Sequence, residues 1–271
     1  MPLRLDREDL VLSHFSLPRD TPFVDRVAAA AGAGFAGIGW YVGDYVAHRE
    51  RGWTDAQLVR VLDDHRVVLH EVDALPLDRL GLLDAAVHLA TTFGVHHVQV
   101  QGNRPGTVEE AAAVIAEIAD LVAGAGVRVA IEFVGDKNIE TAADALALTE
   151  LSERPNVGVQ IDIWHHTRGA DDWSMLEVLP LGRIVSVQLD DGPLVPADDE
   201  YTRDTVTNRR LPGEGEFDLV RFLRTVHPSA SKLPVSLEII ASDLLALPVD
   251  EAARRMAAAT RAVLARPELG L

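Results

Sequence analysis

The chain has 271 residues, is 48% hydrophobic, carries a formal charge of −17 at pH 7 and contains no cysteine. That acidity opposes a broad phosphate-binding surface, since nucleic acid is held largely through lysine and arginine. No apolar run approaches the ~20 residues that cross a bilayer, and disulfides are excluded. The opening Met-Pro-Leu-Arg-Leu-Asp-Arg-Glu-Asp lacks the apolar centre of a signal peptide. A cytoplasmic protein with no nucleic-acid or membrane partner is the expectation.

Residues 10 to 17 form a β-prone run, and an alanine-rich helix opens at Pro22 and closes at Gly34. Phe35 to Tyr41 reads as a second strand, Val42 to Trp53 as a long polar loop, and Thr54 to about Arg66 as a helix with a cap-like Thr-Asp-Ala-Gln start. Val67 to Ala74 is strand three, followed by a helix from about Leu80 to Phe93 that Gly94 closes. Val95 to Gln101 is strand four, and Thr107 to Ala123 repeats the helical spacing until Gly124 and Gly126 stop it. Val127 to Val134 is strand five, Thr141 to Glu153 a helix, Val157 to Ile163 strand six and Ser174 to Leu179 a short helix. Ile184 to Leu189 is strand seven.

The longest irregular segment follows, Asp190 to Glu216, with five acidic residues between Asp190 and Glu200 and the pair Arg209-Arg210. A loop of that length in a compact domain is usually functional. Phe217 to Val226 is a helix, Val235 to Ile240 strand eight and Val249 to Ala265 a final helix. Alternating strands and helices imply a parallel sheet. Eight such units in a chain close to the roughly 250 residues of an α/β barrel favour closure into a (β/α)8 TIM barrel, a single domain over residues 1–271.

In a barrel, alternate strand residues face the axis, and active sites lie at the carboxyl ends of the strands. On strand five the apolar Val127, Val129 and Ile131 turn outward and leave Ala130 and Glu132 inside. Strand six turns Val157, Val159 and Ile161 out and Gly158, Gln160 and Asp162 in. Strand seven turns Val185, Val187 and Leu189 out and Ser186 and Gln188 in; strand eight turns Val235, Leu237 and Ile239 out and Ser236 and Glu238 in. The phase agrees in all four. Glu132, Asp162, Gln188 and Glu238 are therefore expected to converge. Carboxylates crowded in a poorly solvated pocket repel unless a cation joins them. Three carboxylates and a carboxamide are hard oxygen donors that suit a divalent metal, Mn²⁺ first and Mg²⁺ or Co²⁺ besides.

Ile131-Glu132, Ile161-Asp162-Ile-Trp-His165, Asn208-Arg-Arg-Leu-Pro-Gly-Glu-Gly215 and Ser236-Leu-Glu238 resemble successive motifs of the xylose isomerase-like TIM-barrel superfamily, and within it of the sugar phosphate isomerase/epimerase group. The resemblance implies that Glu132, Asp162 and Glu238 bind metal, with a further ligand on strand seven. Many epimerases of the group place histidine there. Gln188, with the following Gly213-Glu-Gly-Glu-Phe-Asp-Leu219, looks closer to bacterial 3-dehydroshikimate dehydratases and inosose-dehydratase relatives.

By the same resemblance Glu132 and Glu238 are also the acid/base pair, His165 lies near the substrate, and Arg209 binds a substrate oxygen or anion. The bland alternative for Arg209 is a surface partner to Asp198 to Glu200. The implied activity is isomerisation or epimerisation of a small polyhydroxy carbonyl compound by α-proton abstraction through a metal-stabilised enediolate, with dehydration of the 3-dehydroshikimate or inosose type as the alternative. A homo-oligomer is compatible with the resemblance. Glu71, Asp73, His14, Gln99 and Gln101 are weaker candidates for the mouth, and Trp40, Tyr41 and Trp164 for an apolar wall. His166 is expected to face away from Asp162.

Overall fold

The computed structural model describes residues 5–170, 172–228 and 230–270. Eight parallel strands, β1 (Leu10–Leu12), β2 (Gly37–Tyr41), β3 (Val68–Pro76), β4 (His97–Gln101), β5 (Arg128–Glu132), β6 (Val157–Asp162), β7 (Ile184–Leu189) and β8 (Val235–Leu237), close in sequence order into a barrel. Helices between the strands cover its outer face, and the fold is a (β/α)8 TIM barrel.

Local chemistry accounts for many of the element boundaries. Thr54, Thr107 and Thr141 each cap a helix by accepting an N–H three residues on, and Gln57, Glu110 and Asp144 return the bond to the capping residue's own N–H. Gly34 and Gly94 end their helices in the left-handed conformation, at φ 79° and 65°. Strands β6 and β7 are buried along their whole length. Burial on both faces requires apolar side chains outward against helices and compatible groups inward. The main apolar core lies between the sheet and the helices and includes Val129, Ile131, Val159, Ile161 and Val187.

The axis side is polar instead. Ser236 Oγ donates to Glu71 Oε1 at 2.7 Å, and Gln160 Nε2 donates to Glu132 Oε1 at 3.0 Å. Gly39 makes this interior possible on β2, because a Cβ there would stand 2.4 Å from Asp73 Oδ2.

Three expectations change. Val42 to Trp53 is not a loop: Val42–Glu50 is helical, with Val42 and Tyr45 buried one turn apart and Tyr45 packed edge-on to Trp40 at 5.6 Å. Its apolar stripe is too short to stand out among Gly43, Asp44 and His48. The segment after β7 carries a helical turn at Tyr201–Thr205, started by Glu200, whose carboxylate accepts from Thr202 N and Arg203 N. Finally, the pairing of β6 with β7 shifts between Val159 and Gln160. Val185 consequently lies on the axis side, where a methyl added to Gly158 would sit 2.6 Å from its Cγ2. No helix among the described residues is long and apolar enough to cross a membrane.

Candidate functional site

Each expected strand-end residue arrives where its strand stops. Glu132 and Asp162 are the last residues of β5 and β6, Gln188 is next to last in β7, and Glu238 follows β8 directly. Glu132 pairs in register with Gln160, Asp162 with Gln188, and Gln188 with Ser236. Glu132, Asp162, His165 and Glu238 each bring a donor atom within 4.8 Å of the others, and all four are buried. Gln188 is wholly buried beside them, and neither its Oε1 nor its Nε2 has a hydrogen-bond partner. An amide left unsatisfied in that position is costly unless something else engages it.

The carboxylates are held individually. Glu132 accepts from Gln99 Nε2 at 2.6 Å on one oxygen and from Gln160 on the other. Asp162 caps the helix Ile163–Arg168 that begins at once after β6, accepting from Trp164 N at 2.8 Å on Oδ1. Glu238 Oε1 accepts from Ser13 Oγ at 3.1 Å. Burial, with Glu238 and Asp162 nearby, pushes the Glu132 carboxyl well above the usual carboxylate range. Burial raises Glu238 too, although Arg209 opposes the shift.

Arg209 is not a surface partner of Asp198 to Glu200; Arg203 takes Asp198. Arg209 lies fully buried in the cluster, donating to Asp162 Oδ2 at 2.8 Å and to the Glu238 carbonyl at 2.9 Å, and pairing with Asp190. Its other terminal nitrogen is 3.0 Å from Glu238 Oε2 without hydrogen-bonding geometry. Burial disfavours the guanidinium charge, but Asp162, Asp190 and Glu238 outweigh it and move the pKa up. Asp190, buried and close to Asp162, has its own carboxyl raised well above the ordinary value. Asp162, Asp190 and Glu238 thus share one guanidinium while Glu132 stands beside them without it, a donor set with more carboxyl groups than cations that suits a divalent ion.

His165 stands 3.7 Å from Asp162 Oδ2 and 4.0 Å from Glu132 Oε1 through Nε2. Its Nδ1 meets the Tyr201 hydroxyl at 2.8 Å, and that hydroxyl accepts from Gly135 N at 3.1 Å. This contact fixes the ring with its Nε2 facing the carboxylates. Burial lowers the His165 pKa to about 4 against the pull of Asp162, so the ring is neutral at neutral pH.

His166 packs away from this pocket, edge-on to Trp173 at 4.7 Å. Trp40 and Trp164 are buried in the core. Trp164 Nε1 donates to Thr205 Oγ1 at 2.9 Å, and only Tyr41 of the three aromatic candidates is partly exposed. Glu71 and Asp73 lie in the barrel interior below the cluster. Asp73 accepts from His14 N at 2.7 Å and stands 3.4 Å from the Ser13 hydroxyl that serves Glu238. Sequence reasoning missed Asp190, Tyr201 and Ser13. The alternation along β7 that turns Gln188 inward also turns Asp190 inward, so that one was within reach.

The chain has relatives among known proteins. The 3-dehydroshikimate dehydratase of Pseudomonas aeruginosa is 31% identical over 134 residues, which is 49% of this chain and 21% of that one. An inosose isomerase of Halalkalibacterium halodurans is 26% identical over 141 residues, 51% of this chain and 49% of its own. The chain therefore matches about half or less of the length of these curated relatives. The IOLI protein, crystallised with a zinc atom, superposes with a TM-score of 0.83 at 19% identity, covering 94% of this chain and 98% of that one. A family-wide sequence match runs from residue 27 to residue 263, through seven of the eight strands and all four strand-end positions, and places the chain in the xylose isomerase-like TIM barrel family.

Proposed function

We propose that this protein is a divalent-metal-dependent isomerase or epimerase of a small sugar or other polyhydroxy carbonyl compound, acting by removal of a proton α to the carbonyl. The observation that carries the reading is the convergence of Glu132, Asp162 and Glu238 within ligand distance of one another, beside a buried Gln188 whose amide has no partner. Glu132, Asp162, Gln188 and Glu238 would hold the ion, Mn²⁺ first and Mg²⁺ or Co²⁺ besides, because their donors are hard oxygens. When bound, the ion supplies Lewis-acid stabilisation of the negative charge that develops on the substrate oxygens.

The chain's own residues do the rest. Glu132 and Glu238 come from strands on different sides of the cluster, so one can take the α-proton while the other delivers a proton from the opposite side. His165, neutral and held by Tyr201, would present an N–H to a substrate oxygen. Arg209 would keep Asp162 and Asp190 in place and offer its second terminal nitrogen to substrate.

A dehydratase of the 3-dehydroshikimate or inosose type is a second reading, favoured by Gln188 in place of a strand-seven histidine and by the similarity to the Pseudomonas aeruginosa dehydratase. Here the same base removes the α-proton while an acid assists departure of hydroxide from the β-carbon. Incubation of the Mn²⁺-loaded protein in deuterium oxide with ketoses, inososes and 3-dehydroshikimate separates the two. Deuterium at the carbon next to the carbonyl of a returned sugar supports isomerase chemistry. Loss of water to a conjugated product supports the dehydratase, and neither event across the panel rejects both.

A further inference from the structure

At the end of the barrel opposite the carboxylates, where β3 and β4 begin, three histidines meet. His70 lies on β3, His97 opens β4 and His96 precedes it, with His96 N donating to the His70 carbonyl at 2.7 Å. The His70 and His96 rings stack at 5.0 Å and 5°, and His97 stands edge-on to both, at 5.8 Å and 5.3 Å. Each offers a ring nitrogen within 4.8 Å of the other two, and the Nδ1 atoms of His96 and His97 are 3.1 Å apart. That spacing is near the separation of two imidazole nitrogens sharing one tetrahedral ion at ~2.0–2.1 Å each.

Two further features fit a ligand set better than a packed aromatic cluster. His97 Nε2 lies 3.5 Å from Glu71 Oε2, and both are buried atoms without a hydrogen-bond partner. An imidazole that binds through one nitrogen and faces a carboxylate with the other is the usual second-layer arrangement around a metal. Access is also graded. His97 is fully enclosed and His70 nearly so, whereas His96 is partly exposed and opens the group to solvent.

We propose that His70, His96 and His97 form a second metal site, a three-imidazole set that takes Zn²⁺, Cu²⁺ or Ni²⁺, with a coordination position open to solvent beside His96. The ion takes the place of the hydrogen bond between the two Nδ1 atoms; the ring that carried its proton there binds as the Nε2–H tautomer, so each ring keeps one N–H, and the Nε2 of His97 lies 3.5 Å from Glu71. Its place at the amino ends of the strands makes it a clasp between β3 and β4 and not a part of the reaction, since that end of such barrels serves stability.

The test compares the full chain with its His96→Gln variant after chelator treatment, reloading with Zn²⁺ and gel filtration in metal-free buffer. The wild type is expected to retain one more zinc ion per chain than the variant, whether or not the carboxylate site is filled. Cu²⁺ bound to the wild type is expected to show hyperfine splitting from three nitrogens, which the carboxylate cluster with its single histidine cannot supply. A third measurement needs no substitution: Zn²⁺ should shift the ring ¹⁵N resonances of all three histidines in the wild type. Equal zinc content in the two proteins, fewer than three nitrogens on copper, or unmoved ring resonances would overturn the proposal.

Discussion

Arg209 is the one guanidinium that Asp162, Asp190 and Glu238 share, and all four groups are buried. Replacing it with methionine leaves those charges without their partner, a loss of about 3–5 kcal/mol for a broken buried pair. Urea unfolding of metal-stripped Arg209→Met at neutral pH should show a deficit of that size, narrowing in acid. The sign follows from the raised carboxyls: Glu132, Asp190 and Glu238 bind protons more readily folded than unfolded. They favour the folded state in acid, and that contribution is lost as pH rises through their folded values.

Glu71 gives the same sign in the wild type, since burial first and then Glu238 and Glu132 lift it from 4.5 to about 8. Metal-stripped protein should therefore lose stability as pH climbs across that interval, read as a falling melting temperature. His165 should behave differently, its ring staying neutral by NMR until the pH approaches about 4. At this scale, Glu132, Asp162, Gln188 and Glu238 were legible because alternation along a strand decides which side chain faces the axis. Tyr201 and Ser13 were not: one reaches His165 from a distant loop, the other joins Glu238 across the closure of the barrel, and neither contact has a local sequence pattern.

The segment after β7 is ordered around Asp191. Its buried carboxylate accepts from Gly213 N at 2.9 Å, Gly215 N at 3.0 Å, Phe217 N at 3.1 Å and Gly192 N at 2.8 Å. Asp191→Ala would strand those donors, each costing ~1–3 kcal/mol if it stays buried. The variant should melt several degrees lower and be cut faster between residues 194 and 206 in limited proteolysis. The same segment carries Arg209 and Tyr201, so its loosening should also weaken binding at the cluster.

The shifted pairing of β6 with β7 rests on Gly158, where a side chain would meet the Arg183 carbonyl at 2.2 Å. Gly158→Val should cost at least the ~1–3 kcal/mol of an overpacked core, measured by chemical unfolding. Strand and helix types followed from periodicity and caps, but the register shift did not. An uninterrupted run such as Ile184–Leu189 carries no mark of an extra residue, and Val185 was accordingly placed on the wrong side.

Across the whole molecule, the closed order of eight strands sets one end of the barrel against the other. Carboxylates and amides gather at the carboxyl ends and histidines at the amino ends of β3 and β4. The barrel was legible from the alternation of eight βα units, because a chain of this length can bury parallel strands on both faces only by wrapping them in helices. The net role of the interior was less legible, since Glu71, Asp73 and Gln99 read as optional lining until closure stacked them beneath the cluster.

The central claim is that Glu132, Asp162, Gln188 and Glu238 hold one divalent ion. Anomalous scattering from crystals grown with Mn²⁺ tests it most directly. The account predicts a manganese peak bonded to oxygens of all four residues, absent from crystals of Asp162→Asn. A cluster closed on Arg209 with no peak, or a peak that leaves Gln188 out of its coordination, would contradict it.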